Sequence, residues 1–118
     1  MLLFIYGTLK RGGVNHHYMQ GQRFLGEAAS APLYRLHDLG GYPGMVTAGP
    51  HQQGLSIRGE VWEVDAPALA QLDILEDLEG GEYTRETVPL LPPWDEAPVQ
   101  GYRYLWPVSH ARDAGDCW

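Results

Sequence analysis

The stretch Met1-Leu2-Leu3-Phe4-Ile5-Tyr6-Gly7-Thr8-Leu9-Lys10 decides how the rest of the chain is read. An apolar run starts at the first residue and stops at Tyr6-Gly7-Thr8, with Lys10, Arg11, Gly12 and Gly13 behind it. A continuous apolar run bounded by glycine predicts a strand buried on both faces, not an edge strand. Gly7 has no Cβ, so a ligand can approach the backbone there. The N–H groups of Gly7, Thr8 and Leu9 can then form an anion-binding nest. An ordinary turn after a buried strand accounts for the same residues equally well.

Working outward, Asn15 is placed to cap a short helix through His16, His17, Tyr18 and Met19. Residues 24–28 and 31–36 read as strands split by a small-residue turn. From 37 to 54 the chain is rich in Gly, Pro, His and Gln, which predicts a long loop, functional or mobile. Inside it, Pro43 and Gly44 make a turn that presents Tyr42, more readily as a packing residue than as a pocket wall. Residues 57–65 return to strand character, with Ile57, Gly59, Val61 and Glu63 on one face and Trp62 and Val64 on the other. Gly59 in mid-strand marks a bulge or a close approach. Residues 86–91 and 100–108 predict two more strands joined by a loose proline-rich hairpin, and the polar tail from Ser109 is expected to fray.

The best-marked helix covers residues 66–79. Asp65 is a good N-cap, Pro67 lies in the first turn where its missing N–H does no harm, and Gly80-Gly81 is the expected stop. Ala68, Leu69, Leu72 and Leu75 fall on one arc, which should face the core. Glu76 falls on that arc, Asp73 at its edge and Asp77 outside it; Glu79 is on the arc but in the last turn. A carboxylate on an apolar face is costly unless paired or functional, and desolvation raises its pKa towards that of a general base. Periodicity alone favours a rim carboxylate that reaches water or pairs with Arg85.

A chain of 118 residues fits one domain, 1–118, with 109–118 as a loose tail. The net charge of −7 and eight scattered basic residues argue against nucleic acid or an anionic membrane as partner. No stretch is long and apolar enough for a membrane span, and the N-terminal run lacks a signal peptide's layout, so a cytoplasmic location is expected. Cys117 stands alone, which excludes an intramolecular disulfide. The five histidines match no metal-ligand spacing, so no metal is expected. Neither Cys117 nor Thr8 has a base placed beside it in sequence to act as a nucleophile.

Six stretches taken in order carry a resemblance. They are Tyr6-Gly7-Thr8-Leu9, Leu25-Gly26, Gly41-Tyr42-Pro43-Gly44, Gly59-Glu60-Val61-Trp62, Leu72-Asp73-Ile74-Leu75-Glu76 and Tyr83-Thr84-Arg85. Together they span nearly the whole chain, which resembles the gamma-glutamylcyclotransferase-like superfamily and, within it, small bacterial gamma-glutamylamine cyclotransferase-like proteins. The resemblance implies an α+β fold: a mixed, strongly curved or barrel-like β-sheet with one main α-helix and short extra helices. It implies an enzyme of the amide-cleaving lyase or acyltransferase class. The expected reaction closes a small gamma-glutamyl amide on itself, releasing 5-oxoproline and an amine or amino acid, without cofactor or metal. Glu76 would be the proton acceptor and donor, Tyr6, Gly7, Thr8 and Leu9 would hold the glutamyl moiety, and Tyr83 would add a hydroxyl. A gamma-glutamylamine is the first substrate expectation and a gamma-glutamyl amino acid the second. Some relatives that share Gly80-Gly81-Glu82-Tyr83 lack an acid at the position of Glu76, which makes Glu82 a second candidate. The rival reading is a small-molecule binding protein on the same fold without turnover. The motifs do not fix the leaving group or the oligomeric state.

Overall fold

In a computed structural model covering residues 1–118, the first strand lies where the sequence puts it, in the middle of a sheet. β1 (Leu2–Ile5) pairs antiparallel with β5 (Arg58–Glu63) on one side and parallel with β7 (Gln100–Tyr104) on the other. β2 (Arg23–Ala29) and β6 (Tyr83–Thr87) complete a mixed five-stranded sheet in the order β2-β5-β1-β7-β6. Alternate side chains of β1 enter two different cores. Leu3 and Ile5 pack with Trp62, Val64 and Leu72 on one face, and Phe4 packs with Val61, Tyr34, Leu36 and Met45 on the other. Both faces are therefore covered, as the unbroken apolar run required.

The cover differs on the two sides. On the first lies the main helix α1 (Ala66–Leu75), with a one-turn 3-10 helix at His16–Met19 beside it. On the second lies a three-stranded sheet in the order β4-β3-β8, built from β3 (Tyr34–Asp38), β4 (Pro43–Thr47) and β8 (Arg112–Gly115). The mixed sheet with one main helix is present, but the barrel-like closure is not. The outer strands of the large sheet meet only at their ends, through a single bridge between Ser30 and Leu90, so no continuous ladder closes it.

Four further expectations change. Residues 37–54 are not one loop: β4 pairs with β3 over five residue pairs from Tyr34–Thr47 to Asp38–Pro43. The tail after Ser109 is not loose, because β8 pairs with β3 and is held by Arg35–Asp113 at 2.7 Å and Arg112–Asp38 at 3.1 Å. Asn15 does not cap its helix; its side chain instead donates to the Thr8 hydroxyl at 3.0 Å. The main helix stops at Leu75, short of Gly80-Gly81, because Asp77 takes a left-handed backbone with φ 53°. Its start is as read, with the Asp65 carboxylate accepting from the Ala68 N–H at 2.9 Å. Leu72 is fully buried on the predicted arc, and Ala68, Leu69 and Leu75 pack against the same core. No helix is long and apolar enough to cross a membrane.

Candidate functional site

Where β1 ends, the loop from Tyr6 to Asn15 is tied down by its carbonyls. Gly7 O accepts from Lys10 N–H at 3.1 Å, Thr8 O from Asn15 N–H at 2.9 Å, and Lys10 O from Gly13 N–H at 2.8 Å. His16 Nδ1 donates to Leu9 O at 2.9 Å. The amides of Gly7, Thr8 and Leu9, by contrast, donate to no group of the chain. Three successive residues, Gly7, Thr8 and Leu9, whose carbonyls are engaged while their N–H groups stay free have the polarity of an anion nest.

Neighbouring elements fix this loop from outside. Gly7 is glycine because of protein, not only ligand: a Cβ there would lie 2.6 Å from Pro43 Cγ. Farther along, Arg11 is gripped by Glu60, which is 6% exposed; the Arg11 side chain donates to it at 3.0 Å and the Arg11 N–H at 3.2 Å. Trp62 Nε1 donates to the same carboxylate at 3.1 Å, and the Arg11 guanidinium lies 3.8 Å from the centre of the Phe24 ring. The Gly59-Glu60-Val61-Trp62 stretch thus anchors the loop. Gly59 makes the expected close approach, since a Cβ there would meet Ile5 O at 2.3 Å.

The loop forms one wall of a cavity of about 300 Å³, at the small end of ligand pockets. Every residue expected at the site lines it: Tyr6, Gly7, Thr8, Leu9, Glu76 and Tyr83. Glu76 arrives there as the C-cap of α1, released from the helix by the early stop, and not as an interior helical residue. Its side chain makes no hydrogen bond or ion pair with any group of the chain. Arg85, the partner that periodicity suggested, is committed elsewhere. Its Nε donates to Asp73 at 2.9 Å, a second nitrogen to the same carboxylate at 3.1 Å, and it also reaches Gln100. Tyr102 O–H donates to Asp73 at 2.8 Å. Burial, with the like charge of Glu82 adding to it, pushes the Glu76 carboxyl up from 4.5 to about 7.

The two site tyrosines are less free than expected. Tyr6 O–H donates to Tyr102 O at 2.8 Å, and its oxygen accepts from Met45 N–H at 3.2 Å. Tyr83 O–H donates to Pro43 O at 2.7 Å, so its proton is already committed to the backbone. Burial raises the pKa of both phenols, which stay neutral. Thr8 has only Asn15 at its hydroxyl and no base beside it. No group of three or more His, Cys, Asp or Glu side chains is arranged to hold a metal ion.

Sequence reasoning missed Tyr42 as a wall residue. It lines the cavity, and its hydroxyl donates to Glu82, another lining residue, at 3.1 Å. Asn15 and Tyr102 also line it. The Gly41-Tyr42-Pro43-Gly44 stretch was the available signal for Tyr42, but a turn sequence alone does not say which way its aromatic ring faces. A wider and more open depression of about 590 Å³ lies beside His37 and Arg103 and contains none of the expected site residues.

The chain is similar to several known proteins. Residues 3–118 match the family model described as gamma-glutamyl cyclotransferase, AIG2-like. A Vibrio cholerae protein, itself only provisionally named a gamma-glutamylcyclotransferase, is 44% identical over 115 residues, covering 98% of this chain and 93% of its own. The gamma-glutamylcyclotransferase family protein YtfP of Escherichia coli is 38% identical over 88 residues, covering 75% of this chain and 72% of its own. The solved structure of a mouse AIG2-like protein superposes with a TM-score of 0.75 at 28% identity, over 92% of this chain and 80% of that one. A family-model match from Leu3 to the last residue, with a relative 44% identical over nearly the whole of both chains, makes this chain a member of the AIG2-like gamma-glutamylcyclotransferase family.

Proposed function

We propose that the protein catalyses the intramolecular cyclisation of a small gamma-glutamyl amide, releasing 5-oxoproline and an amine or amino acid. One observation carries the reading. A carboxylate without a partner, its pKa raised to about 7, shares a cavity with three loop amides that donate to nothing else.

The amides of Gly7, Thr8 and Leu9 suit the α-carboxylate of the glutamyl moiety. Glu76 takes a proton from the substrate's α-ammonium, and the freed amine attacks the γ-carbonyl carbon to form the ring C–N bond. Glu76 passes that proton to the amide nitrogen as the old C–N bond breaks, then relays the ring nitrogen's second proton to the departing amine, so that a lactam N–H and an ammonium are the products. Glu76 returns to its starting state, and no water or cofactor enters the balance. A group with a pKa near neutrality can both accept and release that proton. Nucleophile and electrophile belong to one molecule, so the cavity needs only to hold the chain folded back. The apolar floor of Ile5, Leu9 and Leu75 gives the glutamyl methylenes a surface to lie on. A gamma-glutamylamine is the first substrate of choice and a gamma-glutamyl amino acid the second.

The test is 5-oxoproline release from a panel of gamma-glutamyl amines and dipeptides, with Glu76→Gln alongside. Release that disappears in the variant supports both the reaction and its base. Release that survives keeps the reaction and removes Glu76 from it. Binding of a glutamyl compound without release from any panel member replaces the enzyme by a binding protein.

A further inference from the structure

The inner part of the cavity is walled by the buried residues Ile5, Tyr6, Tyr83 and Tyr102, whereas Val14, 77% exposed, and Tyr42, 38% exposed, stand at its outer end. Glu82 is joined to that outer end by the hydrogen bond from Tyr42. With the glutamyl carboxylate on the loop amides and the scissile amide beside Glu76, Glu82 is the one charged lining residue left for the departing amine to meet. Two adjacent ties fix Glu82 there: Tyr42 O–H donates to it at 3.1 Å, and its chain neighbour Tyr83 donates to Pro43 O at 2.7 Å. The hydrogen bond from Tyr42 occupies one carboxylate oxygen and leaves the other without a partner. Among the residues lining the cavity, Glu76 and Glu82 carry the only charges; no Lys, Arg or His faces them.

We propose that Glu82, held in place by Tyr42, is the specificity-determining residue for the leaving group, and that it selects gamma-glutamyl amides whose departing amine carries a further positive charge. The proposal rests on the cyclisation reading for the direction in which the substrate lies. A cation at the outer end gives Glu82 the counter-charge that the protein withholds. A neutral leaving group leaves two carboxylates facing each other across one small cavity. An anionic leaving group adds a further negative charge beside Glu82 and is rejected. Because Glu82 is one reason that Glu76 holds its proton so tightly, a bound cation also eases the release of that proton.

The test uses a matched pair, the gamma-glutamyl amide of a diamine and that of a monoalkylamine of equal length, with wild type, Glu82→Gln and Tyr42→Phe. Wild type should favour the cationic amide by about tenfold or more in kcat/KM, as expected for a close charge pair. That preference should fall with added salt, collapse towards unity in Glu82→Gln and weaken in Tyr42→Phe. A wild-type ratio near one overturns the proposal. So does a ratio that Glu82→Gln leaves unchanged while both amides slow in parallel, since Glu82 then serves the common glutamyl part. If neither amide yields 5-oxoproline, the cyclisation reading fails separately. Calorimetric binding of the same pair then decides: a preference for the cationic amide that vanishes in Glu82→Gln supports the charge reading, and equal affinities overturn it.

Discussion

Replacing Glu76 by Gln should stabilise the fold at alkaline pH and lose that advantage in acid. The folded chain raises this carboxyl from 4.5 to about 7, chiefly by burial. In the unfolded chain the group titrates near its ordinary value. Between the two values the native state binds more protons than the unfolded one, so stability falls as pH rises through that window. Below about pH 4.5 the acid is neutral in both states and costs little. Above about pH 7 the folded protein carries a desolvated charge. The separation is about 2.5 pH units, and at about 1.4 kcal/mol each the full effect amounts to about 3.5 kcal/mol, nearly all of it developed between pH 4.5 and 8. Glutamine has the same shape and no charge, so it escapes that cost.

The assay is urea unfolding of wild type and Glu76→Gln from pH 4.5 to 8. The remaining carboxylates titrate in both proteins and largely cancel in the difference. The variant's advantage should grow by about 3 kcal/mol across the range, equivalent to about 10 °C in Tm for a chain of this size. Loss of 5-oxoproline release in the same variant would make Glu76 a residue that function keeps at the expense of stability. A stability difference flat with pH would show that the carboxyl is not desolvated, and the argument for a general base with a raised pKa would go with it.

In wild type, kcat/KM for a gamma-glutamylamine should fall below about pH 7 with a slope approaching tenfold per pH unit, since the free enzyme must present Glu76 ionised. Glu82→Gln should move that acid limb to lower pH, because a like charge is removed. Gly7→Ala drives a Cβ to within 2.6 Å of the Pro43 ring, which cannot swing aside; about 1–3 kcal/mol should be lost in urea unfolding, together with activity. Asp65→Ala removes the cap on the Ala68 N–H and should cost about 1 kcal/mol without touching the pH profile. Arg85→Met leaves the half-buried Asp73 with Tyr102 as its only side-chain partner and should cost about 2 kcal/mol in the same assay.

How much of this was legible depends on whether the deciding interaction is local. β1 was, because a strand covered on both faces needs only one unbroken apolar run, and nothing distant alters that requirement. The start of α1 was, because Asp65 and Pro67 act within one turn. Its end was not. Gly80-Gly81 is the stronger stop in sequence, yet Asp77 turns first, with its backbone in the left-handed region. That early stop is what puts Glu76 at the helix end, so the residue was found on the right arc for a partly different reason. β4 and β8 were hidden for a related cause. β4 opens on Pro43 at an outer strand, where the missing N–H is tolerated, and β8 is held by ion pairs to Arg35 and Asp38 instead of by an apolar alternation. Strands stabilised by their neighbours' charges carry no period of their own to read. The same holds at the site. The free amides of the loop follow from local glycine chemistry, while the Tyr42–Glu82 contact joins residues 40 positions apart through a turn whose direction only the folded sheet sets. The part of the site proposed to carry the reaction was therefore visible in short motifs. The part that would choose the substrate was assembled by the fold.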